Sequence, residues 1–93
     1  MALANIKSAI KRNKQNEKRR LRNRVYRGRA RTFVKRAHLA VSGQNLDEAR
    51  QATLEAISAL DKAAEKGVLH KNNAARRKSR LMLRLAKLEK EAA

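Results

Sequence analysis

The sequence predicts an all-α fold, a three-helix up-down-up antiparallel bundle whose long basic first helix projects beyond the core. Three observations lead to this prediction. The 93 residues include no Pro, three Gly and two aromatic residues, a composition that disfavours sheets and favours long helices. Apolar residues recur at helical spacing in three segments. Two short turn-forming segments separate them, so we expect tight helix reversals within one small domain, residues 1–93.

Helix one is predicted over about residues 6–41, with Gly28 as the only weak position inside it. Its apolar seam begins at Tyr26, and successive members are alternately four and three residues apart. Residues 1–22 have no continuous apolar face to bury, so we expect them to project from the bundle as a basic arm, called the arm below. The seam comprises Tyr26, Ala30, Phe33, Ala37 and Ala40, flanked by Val34 and Val41.

The segment Ser42–Glu48 predicts the turn between helices one and two. Gly43 is expected to take the left-handed conformation that ends a helix, while Asn45 and Glu48 resemble a capping box. Helix two is predicted over about residues 46–66 and is net acidic, so it is the helix least suited to contact a polyanion. Its seam comprises Leu46, Ala49, Thr53, Ala56, Leu60 and Ala63, with Ile57 and Ala64 beside it.

Helix three is predicted over about residues 70–90, after Gly67 ends helix two in the left-handed conformation. Val68 and Leu69 are expected to tuck under the bundle. Lys78 lies within the apolar sector and can extend its ammonium group outward. Helix three runs parallel to helix one in this topology, so we expect their basic surfaces to join while helix two faces away. The basic face holds Asn73, Arg76, Arg77, Arg80, Arg84 and Lys87, and the apolar face holds Ala74, Leu81, Met82, Leu85, Ala86 and Leu88.

The charge distribution predicts a polyanionic partner. Lys and Arg number 25 against eight acidic residues, giving a formal net charge of +17. Fourteen of these cations precede Ser42, where Glu17 is the only acid. A solvated helix face alternates its charges for support between neighbouring turns, and a one-signed row does not. With only two aromatic residues, we expect recognition through phosphates and helix shape rather than through base stacking.

Rival binding classes fit less well. A membrane-surface helix needs an apolar face opposite its cations, whereas cations surround the first half of helix one. A dimeric zipper needs three or four heptads, and the seam covers about two before Gly43 ends it. Folded RNA therefore fits better, while a DNA-compacting protein stays the alternative. The chain has no apolar run of about 18 residues and no signal peptide, so we expect a soluble cytoplasmic protein without a membrane role.

Catalysis has no support in the sequence. There is no Cys, and the two histidines, His38 and His70, lie far apart without metal-ligand spacing. No nucleophile–base pair or paired-carboxylate arrangement is evident. We therefore expect no enzymatic activity, no metal, no cofactor and no small-molecule substrate.

Three segments resemble the bacterial small-subunit ribosomal protein family numbered twenty (S-twenty). They are ANIKSAIKR at residues 4–12, RGxxRT at residues 27–32 and LDKAAEKGVLHKNNAARRKSRL at residues 60–81. The third is long and specific. One departure is Gly28, where the family has Ser. The resemblance implies a three-helix bundle that binds small-subunit ribosomal RNA directly, at its 5′ domain and at the penultimate stem near its 3′ end. It further implies few protein contacts, a monomer within the ribosome, and a location in the cytoplasm or, for a plastid source, the stroma.

The predicted RNA contacts come from two sources. By resemblance they are Lys7, Ser8, Lys11, Arg12, Arg27, Arg31, Thr32, His70, Lys71, Asn72, Asn73, Arg76, Arg77, Lys78, Ser79 and Arg80. The charge of helix one and the basic face of helix three add Lys14, Lys18, Arg19, Arg20, Arg22, Asn23, Arg24, Lys35 and Arg84.

Overall fold

Three α-helices account for nearly all of the chain. The computed structural model describes the backbone of residues 2–92 and the side chains of residues 6–92. The helices are α1 (Ala2–Ser42), α2 (Leu46–Glu65) and α3 (Lys71–Ala92), and the described residues contain no strand. The predicted fold class is confirmed. The side chains of the first five residues of the arm lie outside the described part.

The first helix is longer than the bundle it enters. α1 contains 41 residues and runs unbroken through Gly28, and the longest dimension of the molecule is 72 Å. Every side chain from residue 6 to residue 22 is exposed. Half-buried positions begin at Asn23, and the first buried residue is Ala30. The first part of α1 therefore projects beyond the core, as predicted.

The core is built largely from alanine. The predicted seams of α1 and α2 face each other, and Leu60 and Leu81 are the largest apolar side chains that are fully buried. Small side chains let the helix axes approach closely. Half-buried Val68 and Leu69 pack against the core from the loop before α3. The buried alanines are Ala30, Ala37, Ala49, Ala56, Ala63 and Ala74.

α2 lies against both other helices, and α1 contacts α3 less extensively. Two ion pairs join α2 to α3. Lys78 Nζ lies 2.6 Å from Asp61 Oδ1, and Arg50 Nε lies 2.9 Å from Glu89 Oε1. Asp61 thus partners a cation of α3 that lies in the apolar sector of that helix rather than on its basic face.

The turns differ from the prediction at one residue. Gly43 N–H still donates to the Leu39 carbonyl at 2.9 Å, so helical bonding continues through the glycine. The left-handed residue is Gln44, with φ 61°, and the prediction for Gly43 is wrong. Asn45 caps α2 as predicted, since its side-chain oxygen accepts from the Glu48 N–H at 3.2 Å.

The second turn follows the prediction. Gly67 has φ +73°, a conformation that side chains with a Cβ rarely adopt, and it ends α2 one residue after Lys66.

Only part of the predicted apolar face of α3 enters the core. Ala74, Leu81 and Leu88 are buried, whereas Met82 is 57% exposed and Ala86 is also exposed. A helix packed mainly against one neighbour buries a narrower sector than its apolar residues could cover. The remaining apolar residues of α3 form an outer strip.

Candidate nucleic-acid interface

The arm presents cations on all sides of a helix. Residues 6–22 hold eight Lys and Arg side chains and one acid, Glu17. All are exposed, and among the described side chains none of these cations lies within ion-pair distance of a carboxylate. A helix so charged repels itself in water, and a polyanion relieves that repulsion. The arm cations are Lys7, Lys11, Arg12, Lys14, Lys18, Arg19, Arg20 and Arg22, with Ser8 exposed among them.

A shallow depression of about 430 Å³ lies where the arm meets the bundle. It combines guanidinium groups with side-chain amides, which are donors and acceptors suited to phosphates and ribose hydroxyls. Asn16 is a lining residue that was missed in the sequence, since a single amide among cations gives no periodic signal. The lining comprises Asn16, Arg19, Arg20, Asn23, Arg24 and Arg27.

One contact joins the basic surfaces of α1 and α3. Arg84 Nη1 donates to His38 Nδ1 at 2.5 Å. Partial burial, and secondarily the Arg84 charge, lower the pKa of His38 below its usual value near 6.5, so the neutral imidazole is favoured. His38 follows Lys35 by one turn and Arg31 by two, so these exposed cations lie on the side of α1 that adjoins α3.

The amino-terminal end of α3 is capped by His70. The His70 carbonyl accepts from the Ala74 N–H at 3.0 Å, and its Nδ1 accepts from the Asn72 N–H at 3.1 Å. Because Nδ1 accepts, it carries no hydrogen, and Nε2–H is the ring's only donor. The first turn of α3 contains no acid, so Lys71 and the positive end of the helix dipole act together on anions.

The two helices bring this end of α3 to the base of the arm. α1 and α3 run parallel, and the Arg84–His38 contact shows that these two residues lie at the same height along the bundle axis. Equal rise along both helices then places Lys71 at about the level of Val25. The exposed residues Arg24 and Arg27 of α1 are thus at about the same level along the bundle as the cap region of α3.

The basic face of α3 is mostly available to a ligand. Arg76 and Arg80 are exposed, and Arg77 Nε donates to Asn73 Oδ1 at 3.2 Å within the same face. Ser79 is also exposed, but it borders the outer apolar strip together with Lys78. Lys78 is different, because its ammonium group is already paired with Asp61 across the α2–α3 contact. The structure thus groups most predicted contacts of α3 on one side and separates Lys78 from them. Lys87 was not among the predicted contacts, although it is exposed on the same basic face.

Neither a transmembrane helix nor a metal site is found within the described residues. No helix there is long and apolar enough to cross a membrane. No group of three or more metal-ligating side chains lies close enough together to hold an ion.

Comparison with known proteins identifies the family. The sequence model described as Ribosomal protein S20 matches residues 4–86. The chain belongs to this family. It is similar to the small ribosomal subunit protein bS20 of Thermomicrobium roseum, with 51% identity over 88 residues covering 95% of this chain and 89% of that protein. The protein of the same name from Geobacter sulfurreducens is 56% identical over 79 residues, covering 85% and 91%. The one from Streptomyces griseus is 47% identical over 87 residues, covering 94% and 99%.

The family membership confirms the resemblance found in the three sequence segments. It is a family of ribosomal structural proteins and not of enzymes, which confirms the prediction that the chain is not an enzyme.

Proposed function

We propose that the protein is a structural constituent of the small ribosomal subunit that binds the subunit's RNA directly and fixes separate RNA segments relative to each other. The observation that supports this most strongly is that α1 and α3 both carry exposed basic faces, and that the Arg84–His38 contact holds the two helices together between them.

The mechanism follows from where the charges sit. The arm extends beyond the core and can enter a space between RNA helices, while the basic face of α3 stays on the bundle. The arm neutralises phosphates of one RNA segment and α3 neutralises those of another. The fixed arrangement of α1 and α3 in the bundle then determines the distance between the two segments. Arginine forks and amides suit phosphates and ribose hydroxyls.

The family resemblance supports a proposal for which segments are bound. They are the 5′ domain and the penultimate stem near the 3′ end of small-subunit ribosomal RNA, bound by one copy of the protein with few protein contacts. The protein is then located with the ribosome, in the cytoplasm or, for a plastid source, in the stroma.

A binding assay with matched variants tests the proposal. Labelled 5′-domain RNA is titrated with the protein carrying Arg76→Ala and Arg80→Ala, and with a control carrying Lys66→Ala and Lys90→Ala. Both variants lose two exposed cations, but only the first pair belongs to the predicted contacts, and the control pair lies at the ends of α2 and α3. We expect weaker binding for the first variant alone, with unchanged helicity by circular dichroism. Equal weakening of both would indicate unspecific charge attraction.

Competition separates the ribosomal function from a DNA-compacting one. Duplex DNA is added to the complex with 5′-domain RNA at physiological salt. We expect the RNA to be retained, and equal affinity for both would favour a general nucleic-acid binder. Retention of the protein on small subunits after a salt wash is the corresponding observation in cell extracts.

A further inference from the structure

A second concave surface lies between α1 and α2, and no residue of α3 lines it. Its volume is about 330 Å³, at the lower end of the range for small-molecule sites. Tyr26 and Phe33, the only aromatic residues of the chain, both line it. We call this surface the aromatic groove. It is separate from the cationic surface between α1 and α3.

The rings of the aromatic groove are reachable from outside. Tyr26 and Phe33 are two helical turns apart on α1, and each is half-buried against the core. The Arg36 guanidinium carbon lies 5.3 Å from the centroid of the Phe33 ring. The flat guanidinium group of Arg36 thus already lies over the Phe33 ring. A planar ligand stacks on an aromatic side chain in the same geometry.

The charged residues of the groove suit a nucleotide. Arg29 and Lys62 line it from opposite helices, and both are exposed. A phosphate between them would gain two charge-assisted contacts. Glu55 is the one carboxylate that lines the groove. A carboxylate accepts two parallel hydrogen bonds from a base edge with adjacent N–H donors, and guanine has that edge at N1 and N2.

We propose that the aromatic groove takes one unpaired nucleotide of the bound RNA, with guanine preferred. The base stacks on Tyr26, the Glu55 carboxylate accepts from the base edge, and Arg29 and Lys62 hold the phosphate. This rests on the proposed function, because the nucleotide belongs to the same RNA that contacts the arm and α3. The protein then recognises one extruded base in addition to duplex shape. The scarcity of aromatic residues in the sequence had argued against such base stacking.

The chain offers a site-specific probe of the groove. Tyr26 is its only tyrosine, so fluorotyrosine incorporation gives a single ¹⁹F NMR resonance from the groove. Titration with the 5′-domain RNA is expected to shift this resonance, and ultraviolet crosslinking followed by mass spectrometry is expected to attach Tyr26 or Phe33 to a guanine. Guanosine monophosphate alone is the second titrant. An unshifted resonance with RNA, or crosslinks confined to the arm and α3, would overturn the proposal. So would a shift produced by the mononucleotide but not by RNA.

Variants distinguish this proposal from the proposed function. Tyr26→Leu keeps a large apolar side chain but removes the aromatic ring on which a base could stack. Arg29→Gln removes one cation of the groove, and Lys66→Gln, which removes one exposed cation outside the groove, is its control. We expect roughly tenfold weaker RNA binding for each groove variant, the scale of one stacked base or one specific contact, and little change for the control. If the groove variants bind like the native protein while Arg76→Ala with Arg80→Ala still binds weakly, only the groove proposal fails. If the native protein does not bind the RNA, the proposed function fails.

Discussion

Removal of the arm should separate RNA binding from folding. The truncated chain comprises residues 23–93, so Asn23 becomes a residue that can cap the shortened helix. No side chain from residue 6 to residue 22, the described part of the arm, is buried. The core therefore loses no apolar contact, and eight cations that repel each other are removed with one acid. We expect the free energy of unfolding to change by less than about 0.5 kcal/mol, as for ordinary surface substitutions.

The effect on RNA binding should be large and should depend on salt. Each phosphate neutralised contributes roughly 0.7–0.9 to the slope of log affinity against log salt. If all eight cations contacted phosphates, the slope would fall by about six. Because they surround the helix, we expect at least half to reach RNA and the slope to fall by roughly three or more. Fluorescence anisotropy with 5′-domain RNA over a series of potassium chloride concentrations measures the change.

A full-length chain with the eight arm cations replaced by Gln is the control for length. It should show the slope of the truncated chain, because charge rather than contact area sets the salt response. Two results would contradict this reasoning. Loss of cooperative unfolding in the truncated chain would mean that the arm supports the bundle, and an unchanged slope would mean that the arm does not bind RNA.

Three further changes probe the bundle. Gly28→Ala should stabilise it by about 1 kcal/mol in urea unfolding, because a Cβ there meets nothing within 4 Å; no gain would indicate strain in α1 at this position. Thr53→Val should also stabilise the bundle by about 1 kcal/mol, since the buried Thr53 hydroxyl has no hydrogen-bond partner among the described residues. A lower midpoint of thermal unfolding for this variant would show that the hydroxyl does have a partner. The pKa of His38 is lowered in the fold, so unfolded chains bind its proton first as the pH falls. Stability should thus decline below about pH 6.5 until the pH falls beneath the pKa of folded His38, and His38→Gln should reduce the decline in urea titrations at several pH values.

The sequence predicted the helix seams well because helical periodicity alone determines which side chains share a face. Ala30, Ala37 and Leu60 are buried where the alternating spacing placed them. The cap at Asn45 was predictable for a similar reason, since a short side chain before a helix bonds the nearby backbone. The left-handed turn residue could not be predicted in this way. Gly43 and Gln44 are neighbours, and the backbone hydrogen bonds that end α1 determine which of the two adopts the left-handed conformation.

The other features that the sequence did not predict are contacts between helices. The ion pair of Lys78 with Asp61 depends on how α2 and α3 face each other, which periodicity within one helix does not determine. Met82 is exposed for the same reason, as the width of the buried sector depends on how many neighbours a helix has. The aromatic groove likewise requires Glu55 and Lys62 of α2 to lie opposite Tyr26 on α1. From the sequence, that tyrosine was indistinguishable from an ordinary seam residue.

The arrangement of charge explains why such a small bundle should need RNA. Its core is mostly alanine, whose burial contributes little per residue compared with larger apolar side chains. Both ion pairs of the described side chains join α2 to α3, and none involves α1, which carries most of the cations. Compaction therefore brings a strongly basic α1 beside a basic face of α3, with Arg84 and His38 at their contact. An RNA bound across that contact stabilises the folded chain by the free energy of binding. Under the proposed function, the same residues hold RNA segments in place and, once RNA is bound, hold α1 against α3.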